Sequence, residues 1–108
     1  MEIIKVNDLT FQEHESQTDQ IIVTFSASWC GKCRMLKPRL RQLARKHQSI
    51  QFLEVGVEDS PELRERFGIE HVPTTISLRK GKLLSRTHHI DKAALQELTA
   101  SFLDTIEN

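Results

Sequence analysis

The chain has 108 residues, 38% hydrophobic and 28% charged, with 15 basic residues balancing 15 acidic ones. That is enough chain to bury one core without a metal or a disulfide framework, so a single domain over residues 1–108 is expected. Zero net charge supplies no long-range field for a nucleic-acid partner, and no apolar run approaches the ~20 residues of a membrane span.

The segment after Met1 has no basic n-region and no apolar h-region, so a cytoplasmic, reducing location is expected. Residues 3–6 (IIKV) predict a short strand, and Thr10 with Glu13 has the spacing of a capping box opening a helix to about residue 18. Residues 21–26 (IIVTFS) are almost continuously apolar or β-branched, which predicts a central strand covered on both faces. Leu36, Leu40, Leu43 and His47 then mark a helical stripe from 31 to 47, with a kink expected at Pro38.

Residues 51–57 (QFLEVGV) predict a strand. Ser60 is placed to cap a helix that has Pro61 at its first position and ends at Gly68. TTISLR and KLLSRT flank Lys80-Gly81, a hairpin signal, and Asp91 is placed to cap a last helix whose apolar face is Leu95, Leu98, Phe102 and Ile106. The order βαβαβαββα implies two right-handed parallel crossovers, then an antiparallel hairpin and a closing helix, with helices on both sheet faces.

Both cysteines of the chain fall in WCGKC, as Cys30 and Cys33. At positions i and i+3 on the first turn of a helix, they face the same way within disulfide reach. Closing a ring of about 4 residues stabilises a fold by only ~2 kcal/mol, against ~4.7 for about 100, so the pair is a poor staple and a good reactive couple. Free N–H groups and the helix dipole favour an anion at Cys30 and lower its thiol pKa. Cys33 lies a turn deeper, so an exposed attacking sulfur and a sheltered resolving sulfur are expected, as exchange through a mixed disulfide requires.

WCGKC after a central strand, Pro38 in the following helix, HVPTT at residues 71–75 and Gly81 in the hairpin turn together resemble thioredoxin, in register over essentially the whole chain. The resemblance implies a three-layer α/β fold, with a five-stranded mixed sheet flanked by four helices and a cis Val72–Pro73 peptide beside the disulfide. It implies that Cys30 is the nucleophile and Cys33 the resolving thiol of a thiol–disulfide oxidoreductase. The main chain at Val72, Pro73 and Thr74 would pair with an extended substrate segment, while Trp29 and Gly31 shape the groove. No cofactor beyond the Cys30–Cys33 couple is implied. The implied partners are disulfide-containing proteins and an electron donor resembling thioredoxin reductase.

Five positions depart from that pattern. Lys32 replaces a proline, and a cation beside the thiolate makes the disulfide more oxidising. Thr24 stands where a buried aspartate is common, and Glu54 where its partner lysine lies, so the proton acceptor for Cys33 is expected to have moved to Glu54. A desolvated carboxyl there can serve as a base, or it can pair with a cation of the basic helix. His88 and His89 fall where a glycine is usual on the groove wall, where their bulk, His89 included, would narrow the groove and alter partner choice, or they are solvated loop histidines.

Lys32, Arg34, Lys37, Arg39, Arg41, Arg45 and Lys46 make the second helix basic, a solvated face or a docking surface for an acidic partner. Two further functions compete: a weakly redox-active module that holds a protein in the groove, and a metal site of both cysteines with two histidines, which needs four ligands in tetrahedral reach.

Overall fold

The chain follows its predicted order through nine elements. In the computed structural model, which describes residues 2–103, these are β1 (Ile4–Val6), α1 (Phe11–Gln17), β2 (Gln20–Ser26), α2 (Gly31–Lys46), β3 (Gln51–Gly56), α3 (Pro61–Arg66), β4 (Thr74–Arg79), β5 (Lys82–Thr87) and α4 (Lys92–Ala100). The strands form one sheet in the order β1-β3-β2-β4-β5. β3 is parallel to β1 and β2, whereas β4 is antiparallel to both β2 and β5. This is the expected five-stranded mixed sheet, with β2 at its centre.

Alternation along β2 and β3 sorts side chains between two cores. Ile21, Val23, Phe25, Leu53 and Val55 pack with Phe11 of α1 and with Leu63 and Phe67 at α3. Ile22 and Phe52 pack on the opposite face with Leu36, Leu40 and Ala44 of α2 and with Leu95 and Leu98 of α4. The sheet is therefore the middle of three layers. By parity Thr24, Ser26 and Glu54 share the α2 face, and the β2–β3 register sets Thr24 beside Glu54.

α2 continues as one helix through Pro38. Gly68 and Gly81 have φ of 62° and 81°, and Lys80 has φ of 51°. The first gives the left-handed close of α3, and the Lys80-Gly81 pair gives the tight β4–β5 turn. A side chain at 81 would also meet Glu15 Oε2 at 3.1 Å.

The helix starts depart from expectation: Thr10, Ser60 and Asp91 occupy the N-cap positions, but none makes a side-chain cap hydrogen bond. Thr10 Oγ1 instead accepts the Asn7 N–H at 3.0 Å, while Asn7 Oδ1 accepts the N–H groups of Leu9 and Thr10 at 2.9 and 3.1 Å. This nearby turn outcompetes the capping box. α3 is capped from a distant loop, where Asp8 Oδ2 and Oδ1 accept the N–H groups of Glu62 and Leu63 at 3.0 and 2.9 Å. Ser60 is fully buried with its hydroxyl unpartnered. Leu95, Leu98 and Phe102 are buried as expected, and Ile106 lies outside the described residues. Among the described residues, no helix is long and apolar enough to cross a membrane.

Candidate active site

β2 ends at Ser26 and, after four intervening residues, α2 begins at Gly31, so Cys30 falls at the N-cap of α2 and Cys33 in its first turn. A disulfide joins them, with their Cα atoms 5.3 Å apart. The Cys33 N–H donates to Cys30 Sγ at 3.2 Å, the contact an N-cap side chain makes with the third helical amide. The Cys30 N–H donates to Ala27 O at 3.2 Å and closes the turn that leads into the helix.

The two cysteines do not differ in exposure as expected. Cys30 is 7% exposed and Cys33 is 9% exposed, because Ala27, Val57 and Val72 pack around both. What distinguishes the sulfurs is electrostatic position, since Cys30 sits on free helix N–H groups and Cys33 does not.

Trp29 is 70% exposed beside them. It borders a groove of about 290 Å³ with Val57, Arg64, Ile69, Glu70, His71 and Val72. The Val72–Pro73 peptide is cis, and Thr74 donates its hydroxyl to His71 O. Gly31 is exposed at the head of α2, where an added Cβ would meet only Arg34 Nη2, at 3.8 Å. The fold therefore does not demand glycine there, and its absence of a side chain leaves the approach to Cys30 open.

His88 rather than His89 neighbours the groove-lining His71, with ring centroids 6.3 Å apart, and His89 stacks on His88 at 4.6 Å. Both residues are exposed. Among the described residues, no three His, Cys, Asp or Glu side chains gather in an arrangement able to hold a metal ion.

Beneath the cysteines, Cys33, Thr24, Ser26, Lys37, Leu36, Leu40, Ile3 and Glu54 line a small cavity of about 10 Å³. Glu54 is half-buried and fully partnered, with Oε1 lying 3.2 Å from Lys37 Nζ and Oε2 accepting the Ser26 hydroxyl at 3.0 Å. The carboxyl thus meets the basic helix and lines the cavity beside Cys33 as well. Thr24 turns its hydroxyl away to β4, where it accepts from Thr75 Oγ1 at 3.2 Å. Lys32 is exposed on the first turn of α2.

Sequence reasoning passed over Ser28 and Glu58. Glu58 Oε1 accepts the Ser28 N–H at 3.0 Å, Oε2 accepts its hydroxyl at 2.9 Å, and Arg34 Nη1 donates to Ser28 O at 3.3 Å. Ser28 and Glu58 are 30 residues apart, so no local spacing signals the contact.

A closed cysteine pair at a helix N-terminus, beside an open groove on a three-layer α/β scaffold, defines a thiol–disulfide oxidoreductase. More specifically, the chain belongs to the thioredoxin family, whose family model, described as Thioredoxin, matches residues 2–103. It is 35% identical to Thioredoxin H-type of Ricinus communis over 85 residues, 79% of this chain and 72% of that one. It is 32% identical to Thioredoxin H2 of Arabidopsis thaliana over 89 residues, 82% of this chain and 67% of that one. Among solved structures, oxidised mitochondrial thioredoxin 3 of Saccharomyces cerevisiae superposes with a TM-score of 0.80 at 28% identity, covering 88% of this chain and 91% of that one.

Proposed function

We propose that this protein-disulfide reductase works with Cys30 as nucleophile and Cys33 as resolving thiol. The observation that carries the assignment is the Cys33 N–H donated to Cys30 Sγ at the head of α2. It stabilises negative charge on one sulfur of the pair and not on the other.

In the reduced chain, the Cys30 thiolate attacks one sulfur of a substrate disulfide. The other substrate sulfur leaves as a thiolate and takes up a proton. Cys33 then loses its proton and attacks Cys30 Sγ, which releases the second substrate thiol and closes the Cys30–Cys33 disulfide. Two electrons pass to the substrate, and a donor resembling thioredoxin reductase returns them. The redox couple is the only cofactor this cycle uses. A chain that must be re-reduced in each turnover suits a reducing compartment, and we place it in the cytoplasm.

We assign the Cys33 proton to Glu54, the one carboxylate that lines the cavity with that thiol. The space is about that of a single water, enough for a one-step relay. Val72, Pro73 and Thr74 present main chain to an extended substrate, and Trp29 and Gly31 form the opposite lip. His89 acts at the edge of this surface through its stack with His88.

Turnover of a protein disulfide tests the assignment. Cys30→Ser abolishes it, and Cys33→Ser arrests the reaction with substrate covalently held on Cys30. Equal turnover by the parent and Cys30→Ser would instead favour a binding module without redox function.

A further inference from the structure

We propose that Glu58 is a positioning residue for disulfide exchange: its carboxylate pins Ser28 and thereby fixes the turn that presents Trp29 and Cys30. This rests on Cys30 being the nucleophile. Glu58 itself touches no reacting sulfur and acts through Ser28.

Residues 27–30 must turn the chain from β2 into α2. The main chain supplies one bond across that turn, Cys30 N–H to Ala27 O, and Val57 N–H to Ser26 O at 2.9 Å secures its start. Ser28, at the exposed tip, is held by side chains at three atoms. Glu58 takes its N–H and its hydroxyl, and Arg34 donates to its carbonyl. Glu58 follows the end of β3, and Arg34 lies in the first turn of α2, so the two residues tie the tip to separate parts of the scaffold.

Trp29 depends on this grip because its own side chain is 70% exposed. With the carboxylate removed, the residue before Trp29 keeps only the Arg34 contact. The groove lip and the N-cap sulfur then sample a wider range of positions, and reaction rates are sensitive to such displacements.

The clamp's own hydrogen bonds keep it in its working form. The Ser28 N–H, and next its hydroxyl, hold the Glu58 carboxyl below its ordinary value of 4.5, with Lys5 of β1 in support and desolvation opposing. Arg34 is the other cation at the clamp. Near neutral pH the clamp is closed.

Glutamine separates geometry from charge. Its Oε1 can accept the Ser28 N–H while its Nε2 donates to Ser28 Oγ, so Glu58→Gln keeps two bonds without the charge. Glu58→Ala keeps neither. Disulfide reduction should fall about tenfold in kcat/KM for Glu58→Ala and recover to within about threefold of the parent for Glu58→Gln. Amide exchange at Ser28, measured on the oxidised chain, should quicken in the alanine variant alone.

Parental turnover and parental Ser28 exchange in Glu58→Ala would overturn the proposal, as would equal losses in both variants, which would make charge the cause. If the parent turns over no faster than Cys30→Ser, the redox assignment falls, and Ser28 exchange still decides whether Glu58 holds the turn.

Discussion

Lys37 Nζ lies 3.2 Å from Glu54 Oε1, joining the helix that carries Cys33 to the strand beneath it. Lys37 is one turn beyond Cys33, and both partners of the pair line the same small cavity as that thiol. In the arrangement implied by resemblance, the acid stands at position 24 and the cation at 54. Here the acid stands at 54 and the cation has moved to the helix.

The Lys37 side chain is 44% exposed, and a pair this accessible contributes at most about 1 kcal/mol to stability. Glu54→Gln should therefore unfold close to the parent while slowing the resolving step by roughly a hundredfold, the low end of what a positioned base contributes. Single-turnover quench experiments should show the mixed disulfide accumulating. An unchanged resolving rate across pH would remove Glu54 from the mechanism.

Lys32 stands in solvent on the first turn of α2, close in sequence to both sulfurs. Its positive charge favours the thiolate, and hence the dithiol form, by up to ~1 kcal/mol, or ~20 mV for a two-electron couple. Lys32→Pro should shift the potential to a more negative value by that order. Redox titration against glutathione measures it, and a more positive value in the variant would refute the tuning role.

The depressed Glu58 carboxyl sets the sign of a pH effect. Its bonds from Ser28 favour the ionised form, so their stabilisation is complete above 4.5 and fades as pH falls through the lower folded value. Glu58→Gln lacks this titration. The difference in unfolding midpoint between parent and variant should be constant from neutral pH down to about 4.5. Below that the parent alone loses the contribution, and a difference that stays flat through the acid range would exclude it.

Asp8 takes the capping role that the sequence position of Ser60 suggests. Asp8 accepts two amides at the start of α3, so Asp8→Ala should cost about 1 kcal/mol, the usual loss for an N-cap. Ser60→Ala removes a buried hydroxyl that has no partner, and should be neutral or slightly stabilising. Chemical denaturation of the two variants compares them directly, and a larger loss from Ser60→Ala would reverse the assignment.

Much of this architecture was legible in the chain itself. The continuous apolar run at residues 21–26 marked a strand covered on both faces, and the Leu36, Leu40 and Leu43 stripe marked the helix beside it. Lys80-Gly81 marked the turn. These signals are local, because side-chain period and backbone freedom act over a few residues. The cysteine pair was equally legible, since a spacing of three on a helix start already sets both reach and electrostatic asymmetry.

Tertiary structure alone decided which groups meet across the sheet and between loops. The α3 cap came from Asp8 rather than from Ser60, and Thr10 joined a turn with Asn7 instead of closing a capping box, because an orphan N–H takes whichever acceptor the fold brings near. The sulfurs proved equally enclosed, because Val57 and Val72 arrive from other segments. Lys37 meets Glu54, and Glu58 grips Ser28, across 17 and 30 positions of sequence respectively. Hydrophobic period reports what one element buries, whereas polar partners depend on how finished elements dock.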